Sequence, residues 1–133
     1  MDREILARVV KMAGDGYVFV ATADSQGTPH LAAAGELSRT ESELLAATEW
    51  FCPRTVKNLK ENRSVTISVW QPDSDRGYQI AGKVKHIEDV GVLDGFSPEQ
   101  ETDEPLPQVE KRLLIRPLSV SEFRQAPHTD SEI

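Results

Sequence analysis

Apolar and polar residues alternate strictly over residues 64–70, Ser-Val-Thr-Ile-Ser-Val-Trp, in the clearest pattern of the chain. A period of two is that of a β-strand with one buried face. The two valines and the isoleucine would face the core, and Thr66, Ser68 and Trp70 would point the other way. The pattern therefore predicts a strand that leaves Trp70 exposed.

Five other segments are predicted to be strands. Tyr17 to Ala23 is short and rich in β-branched and aromatic residues, which fits a strand buried on both faces. In the next strand, the small residues Ala32 to Gly35 would let a ligand or another backbone come close. The last strand is expected to bulge or break at Pro117, which cannot donate a ladder hydrogen bond. These four later strands are predicted over residues 30–38, 43–48, 78–87 and 111–123.

A first helix is predicted from Ile5 to Ala13, where apolar residues recur at helical spacing. Asp2 can cap its first turn, and Gly14 can end it in the left-handed conformation. Five or six strands with short connections and two helices together predict a small, mostly antiparallel barrel.

A second helix is predicted within residues 50–62, with Pro53 at its first position and Asn62 at its end. Its charge order is unusual, because Arg54 lies in the first turn, where the helix dipole disfavours a cation by about 0.3–1 kcal/mol. A bound anion would reverse that cost, and the Arg54 guanidinium, the Thr55 hydroxyl and free backbone N–H groups suit a phosphate monoester. An ordinary amphipathic helix with a solvated Arg and Thr is the alternative.

Composition narrows the classes of partner. The net charge is −7, and every charged residue between His86 and Lys111 is acidic, which predicts an acidic loop over residues 88–107. Because no basic cluster is denser than residues 57–63, nucleic acid is not expected as a partner. No apolar run is long enough to span a membrane. The single cysteine excludes an internal disulfide, and a cytoplasmic location is expected.

Three short motifs, taken in order, carry a resemblance to a known family. They are Gly27-Thr28-Pro29-His30, then Arg54-Thr55-Val-Lys-Asn58-Leu59 followed by Asn62, and Gly77-Tyr-Gln-Ile-Ala-Gly82. With the predicted elements around them, the chain resembles the FMN-binding split-barrel proteins related to pyridoxamine 5′-phosphate oxidase, over roughly residues 2–123. The resemblance implies a mainly β fold with two or three short helices, a six-stranded antiparallel split β-barrel. Residues 1–123 would form this single domain, and residues 124–133 a polar tail.

The resemblance also implies a set of cofactor-binding residues. Arg54 and Thr55 would hold the FMN phosphate. Residues 49–52 would run along the ribityl chain and ring, and the backbone of residues 32–34 would border the isoalloxazine. The implied assembly is a homodimer with flavin near the interface, in which Trp70 or Gln79 could reach the cofactor of the partner chain. The full set is Glu49, Trp50, Phe51, Cys52, Arg54, Thr55, Ala32, Ala33, Ala34, Trp70 and Gln79.

Two departures from the family pattern limit the inference. Ala32, Ala33 and Ala34 stand where polar residues often contact the flavin, so ring contacts would come from the backbone or be absent. The chain also lacks the C-terminal Arg-x-His segment with which pyridoxamine 5′-phosphate oxidase binds its substrate, so that reaction is not predicted.

No catalytic acid or base is predicted. Cys52, near a helix N-terminus and Arg54, has features that lower a thiol pKa, but no histidine has a spacing that would make it a base for this thiol. His30 follows a turn and is expected to cap a strand, with ligand binding as the alternative.

Three functions remain open from the sequence. The first is an FMN-dependent oxidoreductase with a small-molecule electron donor or substrate. The second is a non-catalytic FMN carrier or electron-transfer protein. The third is a split barrel that binds another ligand, such as a deazaflavin or haem.

Overall fold

Antiparallel strands form most of the structure, a computed structural model that describes residues 2–49, 53–93 and 108–133. The helices are α1 (Arg3–Asp15) and α2 (Pro53–Glu61), and a 3₁₀ turn spans Pro72–Ser74. The strands, in chain order, are β1 (Tyr17–Ala23), β2 (Pro29–Ala34), β3 (Glu36–Arg39), β4 (Leu45–Glu49), β5 (Ser64–Gln71), β6 (Arg76–Leu93), β7 (Gln108–Gln125) and β8 (His128–Thr129).

The strands form one curved sheet in the order β2-β1-β5-β6-β7-β4-β3, with β8 added beside β7. Its two end strands, β2 and β3, are consecutive in the chain and separated only by Gly35. The sheet must therefore curl until its ends lie close together, and β2 also contacts β4. This confirms the mainly β split-barrel prediction. The strand count is eight and not six, because the predicted strand 30–38 is divided at Gly35 and because β8 is added.

The inner face of the sheet carries the hydrophobic core. In β5, Val65, Ile67 and Val69 are buried while the residues between them are not, as the alternation predicts. β1 alternates in the same way, with Val18 and Val20 buried and Tyr17 61% exposed. The prediction that β1 is buried on both faces is therefore wrong, because no described element of the chain covers the outer face of this sheet.

Helix α1 begins as its sequence predicts and ends later. The Asp2 side chain accepts a hydrogen bond from the Glu4 backbone N–H at 2.8 Å, which caps the first turn. The predicted stop at Gly14 is wrong, because the helix continues through Asp15 and ends at Gly16 in an extended conformation. Its buried residues, Leu6, Val9 and Ala13, face the core, and the helix packs against β3 and β5.

Strands β6 and β7 are the longest pair, and their register shifts at three places. One shift places Ala81 opposite Ser119 and Gly82 opposite Pro117, which confirms the bulge predicted at Pro117. β6 also includes residues 88–93, which were predicted to be loop. Cross-strand ion pairs explain this difference, because Lys111 Nζ lies 2.6 Å from Asp89 Oδ1 and Arg112 Nη1 lies 3.7 Å from Glu88 Oε2. The rest of the predicted acidic loop, residues 94–107, lies outside the described residues.

The segment after Phe123, predicted to be a polar tail, folds back onto the sheet. β7 continues to Gln125, and β8 pairs with it. The Asp75 carboxylate accepts hydrogen bonds from the backbone N–H groups of Gln125 and Ala126, both at 2.9 Å. Glu122 N also donates to Ser131 O at 2.9 Å. The polar composition of the segment is therefore compatible with ordered structure, because its backbone is hydrogen-bonded to the sheet.

Candidate functional site

A cavity of about 580 Å³, the hairpin cavity, lies between the turn that joins β1 to β2 and one face of α2. Its volume is within the range of small-molecule and cofactor sites. The turn and the start of β2 contribute Asp24, Ser25, Gln26, Thr28, Pro29 and His30. The helix contributes Pro53, Arg54, Lys57, Asn58 and Glu61.

The turn side of the cavity is shaped by Asp24. Its Oδ1 atom accepts hydrogen bonds from the backbone N–H groups of Gln26 and Thr28, both at 2.9 Å, and Gly27 adopts a φ of 83° that favours glycine. The Thr28 N–H, with smaller contributions from Gln26 and Gly27, holds the pKa of Asp24 below its usual value. The carboxylate is therefore charged at neutral pH, and the turn that carries Thr28 and His30 keeps its shape.

The helix side of the cavity follows from the helical period. Arg54, Lys57, Asn58 and Glu61 are spaced i, i+3, i+4 and i+7, so they share one face of α2. The neighbouring face, with Thr55 and Leu59, is fully buried against the sheet. At the boundary, the buried Asn58 donates from Nδ2 to Thr22 Oγ1 at 3.1 Å, which ties α2 to β1. A weaker hydrogen bond, Ser25 N to Glu61 Oε2 at 3.3 Å, links the end of the helix to the turn.

The cavity is lined by two acidic and two basic side chains, and the two kinds differ in whether they interact with other residues of the described chain. Asp24 and Glu61 accept hydrogen bonds from the turn. Arg54 and Lys57 are exposed, and within the described ranges neither forms a salt bridge. Arg54 and Lys57 thus present two exposed cations on one helix face with no salt-bridge partner among the described residues, an arrangement that suits an anionic group such as a phosphate.

Of the two residues predicted to hold that phosphate, only Arg54 lines the cavity. Thr55 is fully buried and is absent from the cavity wall. The two side chains therefore do not share one surface, although their sequence positions are adjacent. The reason is the helical period, because successive residues of a helix lie about 100° apart around its axis.

The predicted segment along the flavin, residues 49–52, is described only at its start. Glu49 is the last residue of β4, and its backbone lies opposite Lys111 of β7. Trp50, Phe51 and Cys52 lie outside the described residues. The interpretation of this segment as a flavin-binding strand stays a prediction.

The predicted alanines lie in β2, which pairs with β1 along one edge. Within the described residues no strand pairs with the other edge of β2. Ala33 is on the outer face of the sheet, and Ala32 and Ala34 are on the opposite face. The backbone groups of this edge are thus not used in any strand pairing of the described residues, and the flavin contact through the backbone stays a prediction.

Trp70 and Gln79 lie on neighbouring strands on the outer face of the sheet, away from the hairpin cavity. Trp70 is half-buried, less exposed than its polar-face position predicts, because its ring stacks on Phe123 at a centroid distance of 5.2 Å and an interplanar angle of 13°.

Lys57 is not among the predicted site residues, and His30 is predicted to cap a strand with ligand binding as the alternative. Both residues line the cavity. The signal for Lys57 was available, since it follows Arg54 by three residues on the polar face of the helix. Its relevance depends on the β1–β2 turn lying opposite that face, which no local pattern indicates.

No group of three or more His, Cys, Asp or Glu side chains among residues 2–49, 53–93 and 108–133 could hold a metal ion. No helix in the same part of the chain has the length and apolar character needed to cross a membrane.

Solved structures similar to the chain share its fold. A protein named F420 reductase is 24% identical, with a TM-score of 0.56, over 80% of this chain and 90% of that chain. A pyridoxamine 5′-phosphate oxidase-related, FMN-binding protein from Nostoc punctiforme is 12% identical, with a TM-score of 0.63, over 93% of this chain and 84% of that chain. A protein of the pyridoxinephosphate oxidase family from Clostridium acetobutylicum, related to general stress protein 26, is 17% identical, with a TM-score of 0.65, over 100% and 97%. At these identities the likeness establishes the fold.

Sequence comparison gives a narrower result. No curated protein matches the chain. The model of the family described as pyridoxamine 5′-phosphate oxidase matches residues 7–113, a range that includes β1 to β6, α2 and the hairpin cavity. Because this match covers most of the chain, the protein belongs to the pyridoxamine 5′-phosphate oxidase family.

Proposed function

We propose that the protein binds FMN, with the cofactor phosphate in the hairpin cavity, and acts as an FMN-dependent oxidoreductase. The observation that carries the proposal is the pair Arg54 and Lys57, exposed on one face of α2 without a salt bridge in the described part of a chain that belongs to this family. The Nostoc punctiforme structure, named as FMN-binding, has the same fold.

In this proposal the chain binds and orients the cofactor. Arg54 and Lys57 neutralise the phosphate, and the free edge of β2 borders the ring through backbone groups. The carboxylates of Asp24 and Glu61 line the cavity and can accept hydrogen bonds from the hydroxyl groups of a ribityl chain. Bound FMN would supply the redox chemistry, accepting and donating electrons at its ring. No residue of the described chain is assigned as a proton donor for that step.

A second candidate ligand is a deazaflavin. It is supported by the similarity to the protein named F420 reductase, whose 24% identity exceeds that of the other two structures compared above. A deazaflavin cofactor of this kind also carries phosphate, so the cations on α2 would serve it equally well. Titration of the protein with each cofactor separately distinguishes the two.

The first prediction concerns the cofactor itself. Purified protein mixed with excess FMN and passed through a gel-filtration column should co-elute with FMN near one per chain, because the cavity is large enough and presents the cations Arg54 and Lys57 to the phosphate. The measurement is the visible absorption spectrum of the eluted protein. Protein that elutes colourless after FMN, and binds a deazaflavin instead, would contradict the FMN proposal. Reduction of the bound flavin by a nicotinamide donor, with turnover, would separate an oxidoreductase from a carrier.

We further propose that the protein is a homodimer that associates through the outer face of its sheet. The register places one uncharged surface across five strands, although the chain as a whole has 28% charged residues. A second copy of the chain suits this surface, because two uncharged faces can be brought together without the repulsion that a net charge of −7 causes elsewhere. Its residues are Tyr17, Phe19, Ala21, Leu31, Ala33, Thr66, Ser68, Trp70, Gly77, Gln79, Ala81, Ser119, Ser121 and Phe123.

The dimer makes a testable prediction at Ser68, which is near the centre of this surface. The parent protein should have twice the chain mass of 14.8 kDa by light scattering, and Ser68→Asp should shift it to the monomer, because two carboxylates would be buried without partners. Ser42→Asp, in the exposed turn before β4, is the control and should remain dimeric. A monomeric parent protein would overturn the proposed assembly.

A further inference from the structure

A second cavity, of about 190 Å³, lies at the other end of the sheet from the hairpin cavity. It is formed by the start of β6, the end of β7 and the C-terminal segment that contains β8. β1 runs antiparallel to β5, so the turn of the hairpin cavity, which follows β1, lies beyond the start of β5. Arg76 of the second cavity lies opposite Gln71, at the end of β5. Since β5 has eight residues, the two cavities are separated by a strand roughly 25 Å long.

Two arginines from neighbouring strands line this cavity. The β6–β7 ladder begins with Gly77 opposite Phe123, and the same register continued by one residue brings Arg76 opposite Arg124; Arg124 is paired on its other side with Thr129. Like charges directly opposite each other across two strands destabilise a sheet. Such a pair is favourable when an anion lies between the two guanidinium groups.

The chain does not itself supply that anion within the described residues. Neither Arg76 nor Arg124 forms a salt bridge there. Asp75, the acidic neighbour of Arg76, uses one carboxylate oxygen for the backbone N–H of Gln125 and the other for that of Ala126. Among the described residues that line the cavity, Glu122 is the one acid beside two arginines, so these residues carry an excess of one positive charge.

The C-terminal segment completes the cavity with neutral hydrogen-bonding groups. The Thr129 and Ser131 hydroxyls lie 3.0 Å apart and both line the wall. Hydroxyls beside guanidinium groups are donors suited to oxygen anions. The small volume admits one oxyanion and leaves no room for a nucleotide or a flavin.

We propose that the cavity between Arg76 and Arg124 binds a small oxyanion, either a phosphate or a short carboxylate. It is separate from the FMN proposal, because it uses neither α2 nor the β1–β2 turn. Binding there would neutralise the arginine pair and hold the C-terminal segment against β7.

The test uses the full chain with Arg54→Ala, which removes one of the two cations of the hairpin cavity and so weakens competition for anions there, and it is done without FMN. Nitrogen-15 NMR of the arginine Nε–H groups is followed during titration with sodium phosphate and, separately, sodium acetate, each compared with sodium chloride at the same ionic strength. The Arg76 and Arg124 signals should shift and saturate with phosphate, with acetate or with both. The anion that binds with the higher affinity identifies the class of ligand. Adding Arg124→Gln or Arg76→Gln should weaken that binding at least about tenfold. Arg116→Gln is the matched control, an exposed arginine of the same strand outside the cavity, and should leave the affinity unchanged.

The stability of the variants gives an independent readout. Without an oxyanion, Arg124→Gln should have a melting temperature equal to or above that of its parent, because it removes a like-charge contact. Phosphate or acetate should raise the melting temperature of the parent more than that of the variant. NMR shifts that rise linearly with oxyanion concentration, and that are equally large in sodium chloride, would overturn the proposal. So would an Arg124→Gln variant that is less stable without any oxyanion, since the arginine would then have a structural partner.

Discussion

Replacing Arg54 with alanine should weaken FMN binding by roughly 10- to 100-fold while the fold remains intact. A hydrogen bond between charged groups contributes about 1.5–3 kcal/mol, and its loss converts to this range of affinity. Arg54 is exposed, lines the hairpin cavity, and makes no salt bridge in the described part of the chain that its loss would disturb. The measurement is a fluorescence titration of FMN, with circular dichroism and the melting temperature as checks of the fold.

Two variants separate a phosphate contact from a general effect of charge. Lys60→Ala removes a cation from the same helix, but Lys60 does not line the cavity, so its FMN affinity should remain within about twofold of the parent. Arg54→Lys keeps the charge without the planar guanidinium and should recover part of the affinity. Equal losses in Arg54→Ala and Lys60→Ala would indicate only long-range electrostatics. An unchanged FMN affinity in Arg54→Ala would contradict the proposal that the FMN phosphate binds in the hairpin cavity.

A large loss of stability is expected for Gly82→Ala, at the bulge between β6 and β7. A Cβ atom at Gly82 would lie 2.5 Å from the Arg116 carbonyl oxygen and 2.8 Å from Ile115 Cγ2. Both atoms belong to the neighbouring strand, and the carbonyl oxygen is backbone, so the strands must separate locally to admit the methyl group. We expect the free energy of unfolding to fall by about 2–3 kcal/mol, in the upper range for overpacked sites.

Gly14→Ala is the matched control for the same chemical change. No atom lies within 4 Å of a Cβ built at Gly14, and this residue is in the last turn of α1. Alanine favours a helix over glycine, so stability should rise by up to about 1 kcal/mol. Urea unfolding monitored by circular dichroism measures both variants. A Gly82→Ala protein as stable as the parent would show that β6 and β7 are not in close contact at this bulge.

Some parts of the candidate site follow from local sequence, and others do not. Arg54 was predicted because an arginine in the first turn of a helix is unusual on its own. Thr55 was predicted to lie on the same surface, but its position around the helix axis directs it into the core. Lys57 and His30 are on the cavity wall because a turn and a helix far apart in the chain meet there.

The fold shows the same division. Alternation in β5 and the capping of α1 by Asp2 depend on neighbours in sequence, and both were predicted correctly. Extension of β6 through Glu88 and Asp89 depends on cations of β7 that lie opposite them. Composition alone predicted a loop in this segment, because the run of acidic residues is visible in the sequence but the cations that lie opposite them on β7 are not.

The sequence by itself determined six of the strand segments, both helices and the cation at the start of α2, because each depends on residues that are close together in the chain. The tertiary structure decided which helix face borders the cavity, which arginines stand opposite each other at the end of the sheet, and where β2 gives way to β3. These features depend on the register and curvature of the whole sheet. Both arise from contacts between residues that are distant in sequence, which periodicity along the chain does not encode.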